Sequence, residues 1–553
     1  MEDQDEYAPH QWSPQERPQL PGSPSTPDHP LPRRVAFGLV ALVLAMAGGL
    51  SNGLVIANLL NLQGSFGAYA TEMQWLPAAY VMANVSMNLL LVKFRQQYGL
   101  QLFTELFLAL YALVAFAHLY AHNLPTAIAV RAAHGLVGAA LTVLAANYCV
   151  QAFPAVHRIK ALVLGFGASQ LALPLARVIS SELLEIGEWQ GLVWFEAGLS
   201  LLALGCVLLL KLPRGDRTRA FEKIDFVTFA LFAPGVALLC AALALGRYVW
   251  WLEAPWVGAS LAGALLLIAA ALLIERSRER PLLDVRWLGS GQIARLALSV
   301  LLIRIVLAEG VGVVGLFQAL GLHTDQMHTM FCCVLAGSVL GLVVSAATIK
   351  PTNLNRSLLV ALALIATGAL MDAGVTSDTR PEQMYLSQFM LAFGSTFFFG
   401  PTLLAGFGPV LQEPRYLVSL SVMFAITQNL GGLLGNALVG TFQIVREKYH
   451  SSYLVEHLSL ADPQVAARVQ AAAGAFSGGL SDPAARAGQG LATLAGAATR
   501  QANVLAYNDV FMSLGVIAIA VMAWLFLSEF WTFCLGCAGQ RAAAAPSTST
   551  SSH

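Results

Sequence analysis

Long apolar stretches, separated by short polar segments, occupy most of the chain from residue 35 onward. A helix needs about 20 apolar residues to cross the roughly 30 Å hydrocarbon core of a bilayer, and fourteen stretches come close to or exceed that length. Because unpaired backbone groups are costly in lipid, each stretch is predicted to be helical. The predicted spans are 35–61, 73–94, 102–122, 124–150, 159–184, 190–211, 224–246, 250–275, 291–319, 327–349, 357–374, 384–411, 416–444 and 508–533. The pattern therefore predicts an all-α integral membrane protein.

Polar segments at both ends and one long connection interrupt this pattern. Residues 1–34 are Pro-rich and too polar to bury a core, so we predict a disordered cytoplasmic tail there, and residues 534–553 form a second cytoplasmic tail. The connection at 445–507 is far longer than an ordinary loop. Two segments within it begin with Asp-Pro, at 462 and 482, and continue in good helix formers, which predicts two helices, the second continuing into the last span. These helices form either a cap over the mouth of the protein or a docking surface for a periplasmic partner.

Composition and the placement of charge refine this picture. The chain is 57% hydrophobic and only 11% charged, whereas soluble domains carry about 25% charged residues. Lys plus Arg and Asp plus Glu are equal at 31 each, so no basic excess indicates a nucleic-acid partner. The short loops and span ends of one side hold about nineteen Lys and Arg residues, and those of the other side hold only Arg247 and Arg380. The positive-inside rule then predicts that both termini are cytoplasmic.

Several function classes lack their sequence motifs. The chain has no G-x-x-x-x-G-K-[ST] phosphate-binding loop and no Ser, His and Asp spacing typical of hydrolases. Its seven cysteines lie in predicted spans or at the cytoplasmic end, so no disulfide framework is expected. Cys534 and Cys537 lack a second pair of ligands for a metal. We therefore expect a secondary transporter without metal or cofactor, rather than an enzyme.

Five charged residues lie well inside predicted spans, away from the span ends, where each costs about 2.5 to 3.5 kcal/mol unless it faces a partner or a cavity. They are Arg131, Arg177, Glu196, Arg304 and Glu309. The first three fall on spans four, five and six at one depth, roughly 10 Å from the outer side, so they can pair. Such a group is either a salt-bridged clasp or a site where a proton or an anionic substrate competes for the same charges.

Glu196 and Glu309 are the candidates for proton coupling, since loss of solvation favours the protonated form of a buried carboxylate. Arg304 and Glu309 are five residues apart, about 140° around a helix, and are not expected to pair with each other. Three arginines against two glutamates favour an anionic or amphipathic aromatic substrate. Further polar residues either line the same cavity or form hydrogen bonds between helices: Asn52, Asn58, Gln170, Gln318, Gln428 and Asn429.

The stretch "AIAVRAAHGLVGAA", residues 127–140, resembles motif B of the major facilitator superfamily. Arg131, Gly135 and Gly138 match that motif, and His134 stands where Gln is usual. Further stretches in the same order resemble fourteen-span drug:proton antiporters of the EmrB type: "QWLPAAYVM" (74–82), "EWQGLVWFEAGLSLL" (188–202), "ITQNLGGLLGNALVGT" (426–441) and "RQANVLAYNDVF" (500–511).

This resemblance implies a major facilitator fold. Two six-helix bundles, at 35–211 and 291–533, would surround a central substrate cavity that includes His134, with two inserted helices at 212–290. It also implies a proton-coupled multidrug exporter that confers antibiotic resistance from the bacterial cytoplasmic membrane. Such an exporter works by alternating access and passes its substrate to a periplasmic adaptor of the membrane-fusion type and an outer-membrane channel. Arg131 would take part in proton coupling.

Two motifs depart from the pattern of that family. "VKFRQQYGLQ" (92–101) keeps Gly99 of motif A but has Gln96 where Asp is usual. "GASQLALPLARVIS" (167–180) keeps Pro174 of motif C, while Arg177 falls near its missing glycines. A membrane sensor or assembly protein of the same fold, without transport, is therefore the alternative prediction.

Overall fold

The computed structural model describes residues 16–18, 20–307 and 312–543, with the backbone alone for 186–188 and 529–543. Within these ranges all regular secondary structure is helical. The helices are α1 Leu31–Ala57, α2 Leu59–Phe66, α3 Ala70–Met73, α4 Trp75–Tyr98, α5 Leu100–Ala117, α6 Leu124–Ala152, α7 Arg158–Gly167, α8 Ala172–Leu209, α9 Lys223–Val249, α10 Pro255–Arg276, α11 Val285–Leu288, α12 Gly291–Val306, α13 Val313–Ala319, α14 His328–Thr348, α15 Leu354–Met371, α16 Tyr385–Gln412, α17 Leu417–Ala425, α18 Gly431–Glu456, α19 Pro463–Gly474 and α20 Pro483–Ala543.

Thirteen helical segments among the described residues are long and apolar enough to cross a membrane. They correspond to thirteen of the fourteen predicted spans. The ninth, 291–319, appears as α12 and α13 on either side of residues 308–311, which lie outside the described part. Predicted spans five and six meet within α8, where the chain turns. In a straight helix Leu183 and Gly191 would lie about 12 Å apart. Here a Cβ on Gly191 would contact the carbonyl oxygen of Leu183, so the helix axis cannot be straight between them.

The helices form two halves, each with its own apolar core. The first half packs α1 against α6 and α8, with Phe37 and Leu141 fully buried between helices. In the second half, α16 packs against α14 and α15, and α20 packs against α15 and α18, around residues such as Phe331 and Ile365. We call the end at which α1 begins and α4 finishes the basic end, and the opposite end, which carries 445–507, the loop end. At the basic end a third apolar cluster joins the two halves, with Leu89 of α4 and Phe407 of α16 among its members.

Helices α9 and α10, the predicted inserted pair, pack against each other, and α9 also packs against α4 and α18. A buried charge network fixes the pair at the basic end. Asp225 accepts from Lys93 Nζ at 2.7 Å and from Arg278 Nη2 at 2.8 Å, and Arg278 Nη1 lies 2.7 Å from Glu275. Burial alone would lower the pKa of Arg278, but hydrogen bonds to Glu222, Glu275 and Asp225 raise it above its usual range. The network thus holds α9 and α10 to the first half.

The motif A stretch lies beside this network. Gly99 has φ +84°, a conformation that favours glycine, which explains why this position of the motif is kept. The backbone oxygen of Gln96 accepts from Thr218 N at 2.9 Å, so the linker before α9 covers the end of α4. Gln96, which replaces the usual Asp, is therefore bound to the linker through its backbone.

The first tail differs from expectation over residues 20–30. Ser25 and Thr26 are buried, and the Ser25 oxygen accepts from Gln151 Nε2 at 2.9 Å. Ser25 N also donates to the Arg214 oxygen at 3.0 Å, and α1 begins at Leu31. Predicted disorder was wrong for these residues because the ends of the bundle helices supply the hydrogen bonds that a Pro-rich chain cannot make within itself. Residues 1–15, 19 and 544–553 lie outside the described part.

The long connection contains the two predicted helices, α19 and the first part of α20, which continues into the last span. Asp462 accepts from Gln464 N at 2.8 Å, and Asp482 accepts from Ala484 N at 3.0 Å, so both Asp-Pro signals act as helix starts. Asp509 of α20 lies 2.6 Å from both Arg446 Nε and His450 Nε2 of α18. These pairs fix the long helix against the second half.

Candidate functional site

A central cavity of about 930 Å³ lies between the two halves. At the loop end its wall includes the exposed Asp325, and at the basic end the apolar cluster joins the halves. The cavity therefore faces the loop end in this structure. Its volume lies near the upper end of the range for small-molecule sites.

Eight of the nine residues predicted to line a substrate cavity lie on the wall of this central cavity. They come from both halves and include two arginines, Arg177 and Arg304. The others are the amide side chains Asn52, Asn58, Gln170, Gln318, Gln428 and Asn429. Charged and amide groups are thus concentrated on the wall of one cavity. His134, the ninth, is fully buried behind the wall.

Arg131 of α6 lies just behind this wall and is only 2% exposed. Its Nη1 donates to the Ser51 oxygen at 3.0 Å, and its Nη2 donates to Asn52 Oδ1 at 2.9 Å. The Tyr80 ring lies under the guanidinium, 4.9 Å from Cζ to the ring centroid. Because Asn52 also lines the central cavity, it connects Arg131 to the cavity directly.

Glu196 of α8 lies among the positively charged and imidazole groups of α5 and α6. Its Oε1 is 3.3 Å from His134 Nδ1 and 4.0 Å from Arg131 Nη1, and its Oε2 is 3.5 Å from His118 Nδ1. We call Arg131, His134, Glu196 and His118 the buried cluster. Glu196 Oε1, His134 Nε2 and both ring nitrogens of His118 have no hydrogen-bond partner among the described residues. Such groups are costly to bury, which indicates a functional reason for their position.

A small second cavity, about 50 Å³, lies against the buried cluster. Its wall includes His118, Arg131 and Glu196, together with the aromatic rings of Phe66 and Trp189. Since Phe66 and Trp189 adjoin the loop end, this cavity approaches Glu196 from that end.

Two glycines explain why the motif B stretch brings α6 close to α4. A Cβ on Gly135 would contact the Tyr80 carbonyl oxygen, and a Cβ on Gly138 would lie 2.9 Å from Tyr80 Oη. The absence of side chains at both positions allows the close approach. That approach places the Tyr80 ring under Arg131.

Of the three charged residues predicted to lie at one depth and to pair, only two are in contact. The structure brings Arg131 and Glu196 together, but Arg177 lies apart from them, in the cavity wall and over the Phe331 ring at 5.3 Å. Arg177 was wrongly grouped with the others because equal depth does not fix the direction in which a helix presents a side chain. Glu309 lies outside the described residues.

His118 was not among the predicted site residues. It lies in a short 3₁₀ helix, His118–Tyr120, that follows α5. The available signal was an imidazole at the end of an otherwise apolar span at about the depth of Glu196. That signal alone does not separate a buried histidine from one at the membrane surface.

His118, His134 and Glu196 place their ligand atoms within 4.8 Å of one another, as in a metal site. Arg131, however, lies 4.0 Å from the same carboxylate and would repel a divalent cation there. The guanidinium of Arg131 therefore disfavours a divalent cation among these three residues.

Comparison with known proteins agrees with this architecture. The sequence pattern of the Major Facilitator Superfamily matches residues 40–436. The chain belongs to this superfamily. The family and the fold point to a secondary membrane transporter rather than an enzyme. The thirteen candidate membrane spans among the described residues agree with a multi-pass membrane protein. The superfamily assignment confirms the predicted fold class.

Solved structures of the superfamily show the same fold. One is the human organic anion transporter MFSD10 (TETRAN), with 13% identity, a TM-score of 0.52, and 89% of this chain and 100% of that chain covered. Another is the proton:xylose symporter XylE bound to 6-bromo-6-deoxy-D-glucose, with 12% identity, a TM-score of 0.54, and 90% and 95% covered. No curated protein matches the sequence significantly. At these identities the likeness concerns the fold alone.

Proposed function

We propose that this transporter exports amphipathic drugs, preferably anionic aromatic ones, in exchange for protons across the bacterial cytoplasmic membrane. One observation carries the proposal: Asn52 lines the central cavity and accepts from Arg131, which faces Glu196 at 4.0 Å. A substrate in the cavity and a proton on Glu196 therefore act on the same guanidinium.

Glu196 is the proposed proton carrier of this exchange, with Arg131 as its partner. A proton from the loop end reaches the carboxylate through the small cavity beside Trp189. An ionised Glu196 attracts Arg131, and a protonated one does not. When Glu196 is protonated, the guanidinium loses this attraction but keeps its hydrogen bonds to Ser51 and Asn52 of α1. Arg131 is then held by α1 and the cavity wall. Glu309 is a second proposed carrier, which variants must test.

The substrate preference rests on the charges of the cavity wall. Arg177 and Arg304 line the cavity beside six amide side chains, and a guanidinium binds a carboxylate with two parallel hydrogen bonds. One superfamily structure with the same fold is named as an organic anion transporter, which supports this substrate class for the fold.

The long connection is the proposed contact with a periplasmic adaptor and, through it, an outer-membrane channel. It projects at the loop end, where the cavity opens. Phe476 and Leu491 are exposed large apolar residues on it, which a bound partner would cover. The alternative, a cap over the cavity mouth, would leave export independent of a partner.

Transport in liposomes tests the proposal against the alternative of a sensor or assembly protein. Purified protein is reconstituted and given an outward-directed gradient of an aromatic carboxylate, an aromatic cation or a neutral analogue. We expect the carboxylate to be moved fastest and its movement to depend on a pH gradient. Movement of the cation alone would contradict the substrate preference, and no movement of any compound would favour the sensor.

A further inference from the structure

The end of α9 reaches the central cavity. Arg247 was expected from the sequence to lie in an outer loop, but α9 continues to Val249 and Arg247 lies in its last turn. Leu243, Ala244, Arg247 and Tyr248 all line the cavity. Their spacing of one and four residues defines a single helix face, so α9 presents that face to the cavity wall. The loop assignment was wrong because positive charge near a span end does not show where the helix finishes.

The position of Arg247 is fixed by its neighbours. Its Nη2 donates to Tyr248 Oη at 2.5 Å, and its Cζ lies 4.5 Å from the centroid of that ring. After the helix, Trp251 Nε1 donates to Thr441 Oγ1 at 2.8 Å, which ties the end of α9 to α18. On α18 a Cβ at Gly440 would contact Arg247 Nη1, so a glycine there leaves space for the guanidinium.

Arg304 also lies against glycines of α18, as Arg247 does. Its side chain lies against Gly431 and Gly432, at the start of α18. Eight residues separate Gly432 and Gly440, about 12 Å along a helix. The glycines of α18 thus accommodate two cavity arginines, one from α12 and one from the inserted pair.

The balance of charge on the cavity wall favours an anion near these residues. Among the described residues, the carboxylates on the wall are Glu185 and Asp325, both exposed, whereas Arg177 is buried and Arg247 and Arg304 are partly buried. Charge interactions are stronger where water is excluded, so the arginines dominate the deeper wall. An arginine beside an aromatic ring suits a ligand with both a carboxylate and an apolar body.

We propose that Arg247 binds the carboxylate of the substrate, and that the inserted helix α9 is therefore part of the substrate site. This inference rests on the proposed export of anionic aromatic compounds. It assigns to α9 a role in recognition, beyond filling the space between the halves. Tyr248 provides an aromatic surface next to the bound carboxylate.

Binding to the purified full chain in nanodiscs tests the inference, with naphthalene-acetate and its neutral methyl ester as probes in calorimetry. Arg247→Gln should weaken binding of the acid about tenfold or more, the effect of losing a charged hydrogen bond, and leave the ester unchanged. Gly440→Ala retains the charge of Arg247 but displaces its guanidinium. It should also weaken binding of the acid and leave binding of the ester unchanged. Arg380→Gln, which removes an exposed arginine of an outer loop, is the control and should have no effect.

The outcomes separate this inference from the proposed function. If wild type binds the acid and both Arg247→Gln and Gly440→Ala bind it equally well, the role of Arg247 is wrong and the function stands. If wild type binds the ester as tightly as the acid, the anionic substrate class is wrong, and the inference falls with it.

Discussion

The carboxylate of Glu196 lies 4.0 Å from the guanidinium of Arg131, with two imidazoles on its other sides and almost no exposure to solvent. Arg131 also binds Asn52 on the wall of the central cavity. Arg131 therefore connects the carboxylate of Glu196 to the wall of the central cavity.

Arg131 and Glu196 should depend on each other for stability. Removing one partner of a buried ion pair leaves an uncompensated charge and typically costs about 3–5 kcal/mol, whereas removing both costs less. Arg131→Ala should therefore lower the thermal unfolding midpoint in detergent more than Arg131→Ala combined with Glu196→Gln. Additive effects of the two changes would contradict the pairing.

Much of this arrangement follows from the sequence. An arginine and a glutamate at one depth in neighbouring spans predict a pair, and the structure places Arg131 and Glu196 together. Polar residues on apolar spans predict a cavity, and eight of the nine proposed lining residues share one. Both inferences rest on the cost of polar groups in lipid, which depends on depth and is readable from sequence.

Direction around a helix was less predictable. Arg177 shares the predicted depth of Arg131 but faces the cavity and Phe331. Arg247 also faces the cavity, because α9 continues beyond the predicted end of its span. His118 joins the cluster through a short 3₁₀ turn after α5. The ordered residues 20–30 depend on acceptors and donors supplied by distant helix ends. Each of these features is set by tertiary packing rather than by local pattern.

Asp225 should be the most sensitive residue of the network at the basic end. Asp225→Asn leaves Lys93 and Arg278 without their shared carboxylate in a buried site, so we expect a loss of about 3–5 kcal/mol in the free energy of unfolding. The control is Lys211→Gln, which breaks an exposed pair with Glu105 and should cost less than about 1 kcal/mol. Equal losses for the two variants would show that the buried network does not hold the inserted helices.

Gly135 should tolerate no side chain. In Gly135→Ala the new Cβ would contact the Tyr80 carbonyl oxygen, so α4 and α6 must separate at a cost of about 1–3 kcal/mol. Transport should fall as well, since Tyr80 lies under Arg131. Gly198→Ala on α8 meets nothing within 4 Å and is the matched control. A Gly135→Ala protein as stable and active as the control would refute the close-packing account.

The buried cluster should not require a metal. Because Arg131 opposes a divalent cation at Glu196, treatment with a chelator should leave transport unchanged. Zinc titration should give the same binding for wild type and His118→Ala. A zinc site that disappears in His118→Ala would show instead that the three residues are ligands.

Proton movement driven by substrate is the most direct test of the central claim that Glu196 couples export to protons. It is measured in liposomes with a pH-sensitive dye, for wild type, Glu196→Gln and the matched control Glu182→Gln, which removes an exposed carboxylate earlier on α8 that lies outside the cavity wall. The account predicts that wild type and Glu182→Gln move protons when substrate is added and that Glu196→Gln does not. Undiminished proton movement in Glu196→Gln would contradict it.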